Sequence, residues 1–228
     1  MNSPLVIGYW PFHGIAAPAF LLCAYFNREL KLESAGTDWD KKKFGMGLDF
    51  PNLPYLKDKD FKVTESTAIF EYIAKTCQQD FAGKDLIETA KMRMLEGVVI
   101  DIRNEFASKV MAGKPGTNFK PVFEGIMNDP KSKGASKMKS LSDFLGNNKF
   151  FMGRLTMIDF YIAYFVYLID HMSHLTGASK PFAKHRNLQE HVDTVFKLKG
   201  VRDYISKEFG KKSFLPPDFE AKLTGKRL

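Results

Sequence analysis

Cysteine is nearly absent: Cys23 and Cys77 are the only two in 228 residues. Two thiols in an otherwise ordinary chain exclude a disulfide scaffold and fit a reducing, cytoplasmic setting. No apolar run approaches the length needed to cross a bilayer, which excludes a membrane-spanning helix. Met1–Tyr9 is too short and too uncharged to read as a secretory signal. Histidine is sparse, with five in the chain. The one close pair, His171 and His174, has no third ligand marked nearby, so no metal centre is expected. No internal repeat is present. The formal charge of +8 comes from dispersed lysines that read as solvated helix faces. No nucleic-acid motif accompanies them, so no nucleic-acid partner is expected.

What is present is an ordered chain. Hydrophobic residues make up 44% of it, too many for a disordered tail, and its length suits one large domain or two small ones. Leu5–Trp10 is a short apolar run that reads as a buried strand. Pro11-Phe12-His13-Gly14 breaks it. Ala16 to Tyr25 then carries helical spacing, with Pro18 in the first turn, where its missing N–H does no harm. Lys31–Glu33 marks a second strand weakly, and Thr37–Gly47 reads as a lysine-rich loop or short helical turn around Trp39. Leu53–Leu56 and Phe61–Val63 flank the polar turn Lys57–Asp60, a strand–turn–strand signature. Thr64-Glu65-Ser66-Thr67 supplies helix-starting chemistry before Ala68, Ile69, Tyr72 and Ile73. Free N–H groups at such a helix start make an anion site.

The linker falls in the polar stretch Gln78–Asp85, which contains Gly83. Beyond it the strand signals stop. A long helix runs from Thr89 to about Met111, ended by Gly113-Lys114-Pro115-Gly116. Helices follow over Phe119–Met127 and through Met138, Leu141 and Leu145. Thr156 and Asp159 form a capping box, with Leu155 as the outer half of a hydrophobic staple. The helix behind it, FYIAYFVYLID, is apolar nearly all round and should be buried. Asn187–Leu198 and Val201–Phe209 are the last clear helices, and Phe214-Leu215-Pro216-Pro217 leads into a basic tail. The division is an α/β domain over residues 1–82, a linker over 83–88 and an all-α domain over 89–228.

Asn52-Leu53-Pro54 followed by Glu65-Ser66 resembles the glutathione-binding half of the cytosolic glutathione transferases. Gly8-Tyr9-Trp10 and Leu48-Asp49-Phe50-Pro51 are most similar to the mu-like branch. The similarity runs over nearly the whole chain. It implies an N-terminal thioredoxin-like domain, in the order β-α-β then β-β-α, and a C-terminal helical bundle. It implies transfer of the glutathione thiolate to small hydrophobic electrophiles, in a cytoplasmic homodimer with a role in detoxification. Tyr9 is then the catalytic hydrogen-bond donor to the sulfur. Pro54 is then a cis proline that turns the backbone of Asn52 and Leu53 toward the cysteinyl unit. Ser66 and Glu65 hold the γ-glutamyl end, and Trp10, Trp39 and Lys43 complete the glutathione site. Asp101 reaches the glutathione of the neighbouring subunit, and Phe50 plugs into that subunit.

By the same resemblance, the acceptor pocket comprises Phe12, Phe106, Val110, Met111 and Phe219. The chain also departs from the mu-like pattern. His13 and Phe20 stand where arginines are usual, the segment from Leu32 to Trp39 is short, and no tyrosine falls near Val110 and Met111. These departures motivate an alternative, in which the fold is kept as a binding or structural module of a larger assembly. Read without the resemblance, Tyr9 is a core tyrosine, Glu65 and Ser66 are helix caps, and Asp101 is an exposed partner of Arg103 or Lys109.

Overall fold

The computed structural model describes residues 4–114 and 116–225. Pro115 of the expected helix terminator, Met1–Ser3 and the last three residues of the expected basic tail lie outside the described residues.

The first strand, β1 (Leu5–Tyr9), is buried on both faces, as its unbroken apolar run requires. Gly14–Ala16 forms a single 3-10 turn, and α1 (Ala17–Tyr25) follows with Pro18 in its first turn. Next come β2 (Leu30–Ser34), the one-turn helix α2 (Trp39–Lys42), β3 (Tyr55–Asp58), β4 (Phe61–Thr64) and α3 (Ser66–Cys77). The sheet order is β2-β1-β3-β4. β1 pairs parallel with β2 and antiparallel with β3, and β3 pairs antiparallel with β4. This is the expected β-α-β, β-β-α arrangement. The hairpin is tighter than the sequence suggested. β3 starts only at Tyr55, because Pro54 has no N–H to give a ladder. It runs on to Asp58, leaving Lys59-Asp60 as the loop, with Lys59 at φ +56°.

The helical part comprises α4 (Leu86–Ala112), α5 (Lys120–Asn128), α6 (Lys133–Leu145), α7 (Met157–Thr176) and α8 (Arg186–Phe196). The stretch expected as linker is therefore partly helix, since α4 begins at Leu86 rather than Thr89. The cause is a side-chain N-cap: Asp85 accepts the Glu88 N–H at 2.7 Å, and the Glu88 carboxylate accepts the N–H of Lys84, the residue before the cap, at 2.7 Å. The Thr156–Asp159 box is formed as expected and starts α7, which is buried along nearly its whole length. Asp159, fully buried, also accepts the Phe151 N–H at 3.0 Å.

The chain closes with α9 (Lys199–Glu208) and α10 (Pro217–Thr224). The sequence reading missed α10. Its signal is Pro217 at the first helical position, followed by Asp218 and Glu220 in the first turn.

Two compact units result. One runs to Ala82 and takes in Lys197–Phe214; the other holds Gly83–Phe196 and the segment from Leu215. The segment carrying α9 thus packs with the sheet, against the expectation that everything past the linker joins the helical domain. α9 lies on α1, and Gly200 is what permits it. A Cβ at Gly200 would sit 2.1 Å from the Ala24 carbonyl oxygen.

Candidate functional site

Strand register gathers the expected glutathione residues of the first unit. Gly8 on β1 faces Tyr55 on β3, which in turn faces Thr64 on β4. One step beyond this rung come Tyr9, Pro54 and Glu65, at the same end of the sheet. Ser66 follows Glu65 as the first residue of α3. Ser34 of β2 lies beside Tyr9, and from there the chain passes to Trp39.

Tyr9 ends β1 with its ring edge-on to Phe12, centroids 5.4 Å apart. Its hydroxyl accepts the Ile15 N–H at 3.3 Å. Gly14, at φ +44°, lies directly against it, and a Cβ there would stand 2.5 Å from the Tyr9 oxygen. The Leu53–Pro54 peptide is cis, as the resemblance implies. The Leu53 N–H is held by the Asn52 side-chain oxygen at 2.9 Å, so a ligand taking that N–H displaces an exposed, local bond.

Glu65 sits at φ +69°, a region that non-glycine residues seldom occupy and that recurs at ligand clamps. It is the N-cap position of α3, yet its side chain makes no capping bond. Among the described residues, nothing is bonded to the Ser66 hydroxyl. Capping therefore does not account for either side chain, and both remain at the positive end of a twelve-residue helix.

Trp39 is buried. It stacks on Tyr55 at 5.9 Å, in a cluster with Leu48 flanked by Trp10, Ala35, Met46 and Leu53. The foundation of this cluster is Gly8. A Cβ there would meet the Tyr55 ring at 2.0 Å, so the missing side chain lets Tyr55 lie across β1. The sequence reading passed over Tyr55. Its signal was a glycine inside a buried strand, which marks a close approach. Burial first, and then the Glu33 carboxylate, push the Tyr55 phenol well above its usual range. Lys43 follows Trp39 by one turn and pairs with Asp40 at 2.7 Å. Phe50 is 75% exposed and Phe44 76%.

His13 and Phe20, where the resemblance expects arginines, both pack against the segment 197–214. His13 is buried between Phe209 and Phe214. Phe20 stacks on Tyr204 at 6.1 Å, beside an open groove of about 840 Å³ that Lys199, Lys207 and Lys212 border.

The other expected residues belong to the helical unit. Asp101 is exposed and ion-paired with Lys137, not with Arg103 or Lys109; that bond holds its carboxyl below the usual range. Phe106 and Val110 have no exposed surface, and Phe106 packs edge-on against Phe123 in the core. They back α4 and do not offer a face to a ligand. Met111, by contrast, is 70% exposed. The Lys222 ammonium donates to the Met111 carbonyl at 3.3 Å, which ties α10, with its half-buried Phe219, to the end of α4.

Among the described residues, no three of His, Cys, Asp or Glu cluster as a metal would require. His171 is half-buried and stacked on Tyr167. Cys23 and Cys77 are free, and burial raises both thiols.

A thioredoxin-like sheet thus carries a tyrosine, a cis proline and an acidic helix start at one end of its strands, in a chain whose second unit is helical. The family model for the glutathione S-transferase N-terminal domain matches residues 19–75. A glutathione S-transferase of Tyrophagus putrescentiae is 33% identical over 213 residues, spanning 90% of this chain and 91% of that protein. Glutathione S-transferase Mu 1 of Bos taurus is 34% identical over 169 residues, spanning 70% and 73%. The crystal structure of the glutathione S-transferase Blo t 8 superposes with a TM-score of 0.77 at 26% identity, over 93% of this chain and 97% of that one. The chain belongs to the glutathione S-transferase family, and several of its relatives carry mu-class names.

Proposed function

We propose that this glutathione transferase conjugates the glutathione thiolate to small hydrophobic electrophiles, with Tyr9 as the donor that stabilises the thiolate. The observation that carries the reading is the shared rung: Tyr9, Pro54 and Glu65 lie one step past Gly8, Tyr55 and Thr64. A peptide-like ligand laid along that edge meets a phenol, an extended backbone and a helix N-terminus in succession. Ser66 and the α3 N–H groups take the γ-glutamyl carboxylate, and Glu65 takes its ammonium. Leu53 pairs with the cysteinyl backbone once Asn52 lets go. Lys43 reaches the glycine carboxylate, positioned by the Trp39–Tyr55 stack.

The chemistry follows from the tyrosine. A thiol near its ordinary pKa of about 8.5 is only a few per cent ionised at neutral pH. A hydrogen bond from Tyr9 to sulfur favours the charged form, and a shift of about two units corresponds to about 2.7 kcal/mol. The thiol proton leaves to solvent. The sulfur lone pair then forms a bond to the electrophilic carbon, and the displaced electron pair departs on the leaving group. Phe12, Met111 and Phe219 are the exposed or half-buried apolar residues put forward for the acceptor; Phe106 and Val110 only support α4. We read the protein as a cytoplasmic homodimer; the exposure of Phe50 supports the dimer alone.

Tyr9→Phe removes the hydroxyl and keeps the ring. An ultraviolet titration of bound glutathione should move toward the free thiol, with kcat near neutral pH falling about ten- to a hundredfold. Identical titrations in both proteins would show that Tyr9 is a core tyrosine.

A further inference from the structure

The loop that follows β1 touches the Tyr9 hydroxyl: Ile15 donates to it, and Gly14 packs against it. That loop is in turn held from the far end of the chain. The His13 N–H donates to the Ser213 carbonyl at 2.8 Å, and the Gly14 N–H to the Phe214 carbonyl at 3.0 Å. Two consecutive backbone bonds form a short ladder between the loop and the segment that follows α9.

The side chain of His13 closes this ladder. Its ring stacks on Phe214, centroids 4.8 Å apart, and leans on Phe209 at 5.0 Å; Phe209 and Phe214 meet edge-on at 5.0 Å. The imidazole is 5% exposed, and its Nε2 is buried without a hydrogen-bond partner. The faces of the ring, by contrast, are covered by Phe214 and Phe209. Burial holds the imidazole below its usual range despite the Glu208 carbonyl, and the Lys212 charge acts in the same direction, so the stack contains a neutral ring.

We propose that His13 is the positioning residue for Tyr9. Its ring, clamped by Phe209 and Phe214, fixes the loop 13–15 whose Gly14 and Ile15 aim the hydroxyl at the glutathione sulfur. The proposal rests on the reading of Tyr9 as the sulfur's donor and adds what aims it.

The test compares His13→Phe, His13→Leu and Tyr9→Phe with the parent protein. Each is followed by ultraviolet titration of bound glutathione, by kcat and KM, and by thermal unfolding. His13→Phe keeps the stack and should titrate like the parent, with unchanged kcat. His13→Leu fills the space but cannot stack. Its bound thiol should titrate nearer the free value, with kcat near neutral pH down about tenfold, as expected for a slightly misplaced group, and KM for glutathione changed less than about twofold. A His13→Leu protein that is less heat-stable but keeps the parent's thiol titration would overturn the proposal, because His13 would then only pack. If Tyr9→Phe itself leaves the titration unmoved, the Tyr9 reading fails. If Tyr9→Phe moves it and His13→Leu does not, only the positioning role fails. Should His13→Leu not fold, Phe209→Leu opens the same stack from the α9 side and is read by the same criteria.

Discussion

Replacing Gly200 by alanine tests the packing of α9 on α1 by sign alone. In a helix with no neighbour, alanine in place of glycine gains about 0.5–1 kcal/mol, because glycine loses more backbone freedom on folding. At Gly200 the added methyl would sit 2.1 Å from the Ala24 carbonyl oxygen and 2.9 Å from its carbon. These are backbone atoms inside a helix, so no rotamer change relieves the clash. Overpacking of this kind costs about 1–3 kcal/mol. The propensity gain is reduced near a helix start, so the net change should be a loss of about 1–2 kcal/mol. Gly97, in the middle of α4 and with nothing within 4 Å of its would-be Cβ, supplies the opposite sign. Urea midpoints for Gly97→Ala and Gly200→Ala should move up and down respectively. A Gly200→Ala protein as stable as its parent would refute the close approach, and with it the assignment of α9 to the sheet-bearing unit.

Two further outcomes follow from the ion pairs and the exposed aromatics. Glu88, 7% exposed, receives Arg154 through two nitrogens at 2.7 and 3.1 Å. Burial pushes its carboxyl up, but Arg154 and the Lys84 N–H together bring it net below the usual range. A depressed carboxyl contributes stability above its unfolded pKa, near 4.3, and loses it as pH falls through the folded value. Arg154→Met should therefore cost about 2–3 kcal/mol near neutral pH, discounted because Arg154 keeps part of its surface in water. That difference should shrink in acid; a penalty constant with pH would show that Arg154 acts through packing alone. Phe50→Ala should shift sedimentation toward monomer, as loss of an interface anchor worth about 2–4 kcal/mol requires. An unchanged dimer would remove Phe50 from the interface.

The legible parts of this fold were those encoded by neighbours in sequence. The Thr156–Asp159 box, the hairpin and the order of strands follow from local patterns, and register then aligned Tyr9, Pro54 and Glu65. The Asp85 cap was equally local and was overlooked beneath Gly83, which marked a linker more loudly. What periodicity could not reveal is which apolar residues face a neighbour. Phe106 and Val110 share the stripe of α4 that packs into the core, and spacing alone does not separate them from the exposed Met111. The return of α9 to the sheet was hidden for a related reason. No short window contains both of its partners, and its one trace is Gly200, an unremarked glycine in a helix.

That return has a consequence for the order in which the protein is made. The sheet and α1 leave the ribosome before α9, so the loop beside Tyr9 cannot acquire its two backbone bonds to Ser213 and Phe214 until those residues have also been synthesised. The helical stretch from Gly83 to Phe196 emerges in between. A truncated chain that stops short of α9 thus carries every residue proposed to hold glutathione, yet lacks the backbone partners of the loop beside Tyr9. Synthesis of the Lys197–Phe214 segment is therefore the event that completes the loop beside Tyr9.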